Sequence, residues 1–160
     1  MGQHPHRGPG RAEDGNFVLS RLGIALRPAE AAPAQAGTAP AQAGTAPAQA
    51  GALPLAAAVA DFAQQDFPVA EALASADLKK NGWAVQPQAG KAHEAVFALA
   101  KPAAVPAGAA LVITLEQAYE RPQFNLGRFR LSATDDPRAL DRLQVSAGAA
   151  AALARAPAAR

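Results

Sequence analysis

The sequence predicts an all-β protein built as an antiparallel β-sandwich, and three observations carry that reading. Several runs alternate with a period of two. Leu111, Ile113 and Leu115 point one way while Val112, Thr114 and Glu116 point the other, and Phe129, Leu131 and Ala133 alternate with Arg128, Arg130 and Ser132. Such alternation marks antiparallel strands with one face on a core and one in water. About six strand-like runs follow one another at short spacing between Gly- and Pro-containing turns, as in a sandwich or barrel. Helical stretches are too few to supply the crossovers that parallel strands need.

The chain has 160 residues. Residues 1–15 and about 29–54 read as unstructured, which leaves roughly 100 residues for a core, enough for one sandwich-sized domain. Half of the residues count as hydrophobic, but with six Phe, one Trp and one Tyr the large anchors are few. Much of the remainder is alanine, which buries little area. A net charge of +2 is too small to argue for nucleic acid. The basic excess is local. From Arg121 onward only Asp135, Asp136 and Asp141 oppose the arginines. With no cysteine there is no disulfide framework, thiol nucleophile or Cys-ligated metal. No run approaches the ~20 apolar residues of a membrane span, and no apolar stretch near Met1 has the form of a signal peptide.

Taken in order, residues 1–15 read as a disordered leader. His4 and His6 flank Pro5, too few ligands for a metal site. Asn16–Leu26 is the first strand, with Val18, Ser20, Leu22, Ile24 and Leu26 on one face. Gly23 marks a bulge or close crossing within it. Residues 32–51 repeat APAQAGT with a period of seven. Proline and glycine in every unit exclude a coiled coil. The tract reads as a long disordered surface loop over 29–54, which costs little because closure entropy grows only logarithmically with length. Leu55–Phe67 fits a helix or a strand. Val69–Ala76 adds a helical turn, and Asp77–Gly82 is a polar loop. Trp83–Val85 is a short strand and His93–Leu99 another, with Ala95, Phe97 and Leu99 inward. Leu111–Gln117 and Leu126–Thr134 form a hairpin around the loop Ala118–Asn125, and Asp135-Asp136-Pro137 stops it. The domain thus spans 16–138, and residues 139–160 form an Ala-rich helical tail or linker.

Enzyme templates fare badly. His93 is the one histidine outside the leader. Ser20, Ser75, Ser132 and Ser146 sit in no nucleophile elbow. Glu94 and Glu116 occupy outward strand positions where solvated carboxylates are ordinary, and Asp135-Asp136 lacks calcium-loop spacing. No catalytic residue, metal or cofactor is expected. Binding has the stronger case. An aromatic ring flanked by amides and charge is a common carbohydrate platform. The loop supplies Gln117, Tyr119, Arg121, Phe124 and Asn125, and Trp83 is a further candidate, although as the leading residue of an alternating strand it fits the core better.

Several segments together resemble one family: NFVLS (16–20), VADFAQQDFPVAEAL (59–73), GWAVQPQAGKAHEAVF (82–97), LVITLEQ (111–117) and LGRFRLSATDDPR (126–138). They resemble a β-sandwich module of large multidomain proteins of planctomycete-type bacteria that also carry cytochrome-c-like domains. The resemblance runs from Gly8 to Arg160, interrupted by the repeat. It implies a galactose-binding-like jelly roll, an exported parent protein, and a non-catalytic carbohydrate-binding or interdomain packing role. Polysaccharide and the parent's neighbouring domains are the expected partners. That module has further strands before the segment matching GPGRAEDGNFVLS. The chain therefore reads as a fragment lacking an N-terminal edge, or as one with a displaced start codon.

Overall fold

A computed structural model describes residues 8–27 and 51–144. The expected leader over 1–7, the repeat over 28–50 and the tail over 145–160 lie outside the described residues. Four strands and one short helix follow in order: β1 Arg21–Arg27, β2 Leu55–Ala60, α1 Glu71–Ala74, β3 Ala95–Leu99 and β4 Ala110–Glu116. A further helical stretch occupies 139–144. The fold is β-rich, with two small antiparallel sheets, one pairing β1 with β4 and the other β2 with β3.

The first sheet follows from the alternation. Leu22, Ile24 and Leu26 of β1 face Leu115, Ile113 and Leu111 of β4 in an unbroken register. This ladder of like-shaped aliphatic pairs is the unit that stabilises a sheet. Residues 51–53 extend the far side of β1 through Leu26 N–H to Gly51 C=O (2.7 Å) and Leu53 N–H to Ile24 C=O (2.8 Å). Gly51, at φ 130°, leaves no room for a side chain, since a Cβ there would lie 2.5 Å from the Leu26 carbonyl oxygen. In the second sheet Ala58 lies opposite Phe97, Ala60 opposite Ala95 and Val59 opposite Val96. The ambiguous stretch 55–67 therefore resolves into a strand and then a turn. Ala58 serves there as the small partner of the large Phe97.

The segment Asn16–Ser20, which leads into β1, is buried throughout. Leu19 and Trp83 exchange backbone hydrogen bonds (2.9 and 3.0 Å), Val18 N–H donates to Phe124 C=O, and Ser20 N–H donates to Glu116 C=O. The Ser20 hydroxyl accepts from Ala118 N–H at 3.1 Å. The core gathers on this segment: Phe17, Leu19, Val69, Ala72, Trp83, Val85 and Ala89 pack together, and Ala58, Ala60, Phe97 and Leu115 reach them from both sheets. Phe17 meets Trp83 edge to face at 5.1 Å, the arrangement that ring quadrupoles favour.

Three expectations change. The predicted hairpin does not form. Residues 127–134 carry no strand, and only Leu126 bridges, to Gly10. The partner of β4 is β1, distant in sequence. Phe129 and Leu131, expected inward, are 56% and 49% exposed, because no neighbouring strand arrives to cover them. Trp83 forms a single bridge rather than a strand. Residues 8–15, read as leader, are bonded into the fold. Arg11 N–H donates to Asn125 C=O at 2.8 Å, and Ala12 is buried. His93–Leu99, Leu111–Gln117 and the helical turn near 71–74 lie where the pattern placed them, to within two residues.

Candidate functional site

The buried segment that organises the core also carries a polar side chain inward. Asn16 is 3% exposed. Its Oδ1 accepts from Val85 N–H at 3.0 Å, and its Nδ2 donates to Gln64 Oε1 at 3.0 Å. Gln64 Oε1 also accepts from Gln86 N–H at 3.3 Å. Gln86 Nε2 reaches Asp14 Oδ2 at 2.7 Å, and Asp14 Oδ1 accepts from Asn16 N–H at 2.9 Å. A closed network thus joins residues 14–16, 64 and 86. It fixes three chain segments that are far apart in sequence.

The outer surface of this network is an open groove of about 750 Å³. Phe62 and Pro87 provide apolar walls, and Gln64, Gln65, Asp66 and Gln86 provide polar ones. Gln65 and Asp66 are exposed at the tip of a turn closed by Phe67 N–H to Gln64 C=O at 3.0 Å. Asp66 sits at φ 66°, a left-handed conformation that aspartate tolerates better than most residues. Beyond the Asp14–Gln86 contact lies a second depression, lined by Ala12, Glu13, Asp14, Gln123 and Phe124. The Asp14–Gln86 contact separates the two depressions, and both are rich in amides and carboxylates.

The residues expected to bind ligand distribute unevenly. Trp83 is a core residue, 7% exposed, and its indole N–H donates to Phe62 C=O at 2.9 Å. Gln117 turns back on the chain, where its Oε1 accepts from Leu126 N–H. Asn125 Nδ2 donates to Pro122 C=O at 3.1 Å. Tyr119 lies edge-on between Phe67 (5.8 Å) and Phe124 (5.5 Å), so this trio is an aromatic cluster at the rim of the groove turn. Phe124 also lines the second depression. Arg121 is exposed. The loop therefore contributes Tyr119, Phe124 and Gln123 to the surface and spends Gln117 and Asn125 on its own shape. The groove residues Phe62, Gln65, Asp66 and Pro87 had no local spacing to mark them. The dense QPQ and FAQQDF stretches were the available compositional signal.

His93 is the only histidine among the described residues. Its side chain is 3% exposed. Nδ1 faces the Asp61 carboxylate at 3.2 Å, and Nε2 lies 2.9 Å from the Gln88 carbonyl oxygen. Both ring nitrogens thus face oxygen atoms of neighbouring segments. Asp61 Oδ1 also accepts from Glu94 N–H at 3.1 Å, so the pair joins the end of β2 to the start of β3. No serine hydroxyl adjoins the ring among these contacts, and the Nε2 position that a general base would use is taken by a backbone carbonyl. Among the described residues no group of three or more His, Asp or Glu side chains is placed to hold a metal ion. None of the helices there is long and apolar enough to cross a membrane.

These features define a β-rich chain with an amide-lined surface groove held by a buried asparagine. Comparison with protein-family models, with curated proteins and with solved structures finds no match.

Proposed function

We propose that the chain is a non-catalytic binding module whose ligand is a neutral polysaccharide, carried on a jelly-roll-like sandwich within a larger exported protein. The observation that supports this most is the groove bounded by Phe62 and Pro87. Its exposed polar side chains are Gln65 and Asp66, and behind it Asp14, Asn16, Gln64 and Gln86 are hydrogen-bonded to one another. Apolar walls with a few directed polar groups suit a sugar ring, which presents C–H faces and peripheral hydroxyls. A second depression at Gln123 and Phe124 adds an aromatic ring and a further amide on the other side of the Asp14–Gln86 contact. Glu13, Asp14 and Asp66 line this surface, so an acidic polymer would meet like charge. Affinity electrophoresis of the full chain in gels containing neutral and acidic polysaccharides tests the reading. Retardation in a neutral gel, lost with Gln65→Ala plus Asp66→Ala, is expected. Absence of retardation in every gel overturns it.

A second reading is favoured by the exposed Phe129 and Leu131, which alternate with Arg128 and Arg130. In it the module packs against a neighbouring domain and needs no ligand. Replacing both apolar residues by serine then abolishes docking to the neighbour while leaving the groove intact. Unchanged docking of that variant removes the reading.

A further inference from the structure

We infer that the chain self-associates through the outer edge of β4, which pairs antiparallel with β4 of a second copy about a two-fold axis at Ile113. One edge of β4 is taken by β1, and no strand among the described residues occupies the other. An unpaired edge presents a row of backbone donors and acceptors, and proteins that avoid pairing blunt it with proline, lysine or a bulge. The sequence ALVITLE has none of these, and its register with β1 runs without interruption from Arg21↔Glu116 to Arg27↔Ala110.

The strand is complementary to itself. Antiparallel pairing about Ile113 sets Leu111 opposite Leu115 of the second copy and Ile113 opposite its counterpart. Combined with the observed β1–β4 register, this gives three continuous aliphatic rows across four strands. They run Leu26–Leu111–Leu115–Leu22, Ile24–Ile113–Ile113–Ile24 and Leu22–Leu115–Leu111–Leu26. Leu111 and Ile113, at 40% and 38% exposed, are the side chains this extension would flank. Charge agrees as well. Glu116, the one charged residue of β4, falls opposite Ala110 of the second copy, whose other neighbour in the row is Arg27. Arg27 makes no ion pair among the described residues. Across two strand spacings, about 10 Å, its long side chain can reach over Ala110 to Glu116 of the second copy. Glu116 already pairs with Arg21 of its own chain at 3.7 Å, so in the dimer its carboxylate would lie between two arginines.

Sedimentation velocity of the full chain over a concentration series is the test. A reversible monomer–dimer equilibrium is expected. Ile113→Lys and Ile113→Glu each bring like charges together on the axis and weaken it at least about a hundredfold. An equimolar mixture of the two restores a heterodimer, which damage to either fold would not produce. Because the chain has no cysteine, Ile113→Cys adds a reading by a smaller change, and oxidation crosslinks it as a dimer. A parent chain that stays monomeric overturns the inference. So does association that Ile113→Lys leaves intact, as pairing with another segment or surface would give, or a mixture that remains monomeric.

Discussion

Replacing Asn16 with alanine removes the side chain on which both the core and the groove depend. The amide is 3% exposed and makes two hydrogen bonds, accepting from Val85 N–H and donating to Gln64 Oε1, both at 3.0 Å. Each bond is worth about 1 kcal/mol net, and leaving a buried donor without an acceptor costs about 1–3 kcal/mol more. Val85 is fully buried, so its N–H has no water to turn to. The expected loss is therefore about 3 kcal/mol. With a urea slope of about 1.5 kcal/mol/M for a domain of this size, the unfolding midpoint falls by about 2 M. Asn16→Asp keeps the acceptor for Val85 but turns a carboxylate oxygen toward Gln64 Oε1 inside the fold, so it is no milder. Urea titration followed by Trp83 fluorescence measures both variants. A midpoint shift below about 0.3 M for Asn16→Ala would mean that the network does not hold the fold.

Further outcomes follow from other contacts. Trp83→Phe deletes the indole donor to Phe62 C=O and leaves a void beside Phe17, so thermal unfolding should show a loss of about 2–3 kcal/mol. Ser75→Ala should be neutral or stabilising by up to about 1 kcal/mol in the same assay, because the buried Ser75 hydroxyl has no partner among the described residues. Asp66→Gly relieves a left-handed residue and should raise stability by up to about 1 kcal/mol. That change also removes a groove carboxylate, so polysaccharide retention should fall while the unfolding midpoint rises. For His93→Leu and Asp61→Asn, a double-mutant cycle should return a coupling above about 1 kcal/mol. Additive losses would show that the 3.2 Å contact contributes nothing of its own.

Much of the strand content is readable along the chain, because alternation is a local property. Leu22–Leu26, Ala95–Leu99 and Leu111–Leu115 alternate and are strands. Pairing is not local. Phe129, Leu131 and Ala133 alternate as cleanly as β4 does, yet alternation reports only that one face could be buried. β4 pairs with β1 instead, in a register that superposes Leu, Ile and Leu on their like. The Ala-rich stretch before Asp61 could not be resolved from propensity. The deciding contact, Ala58 beneath Phe97, lies on another segment. The site divides in the same way. Tyr119 and Phe124 were visible as an aromatic pair in a polar loop. That Gln117 and Asn125 would be consumed by Leu126 N–H and Pro122 C=O depends on how the loop closes. The groove joins residues 62–66 to 86–87 through a side chain at position 16, and no sequence spacing encodes that meeting.

Affinity electrophoresis of the full chain beside its Gln65→Ala plus Asp66→Ala variant tests the proposed role most directly. Both residues are exposed, but Asp66 is left-handed, a conformation alanine tolerates less well than aspartate, so the variant should stay folded with a loss of about 1 kcal/mol. The parent should be retarded by a neutral polysaccharide, and the variant should migrate freely. Equal retardation of the two proteins would place binding elsewhere on the surface, and free migration of the parent in every gel would contradict a polysaccharide-binding function.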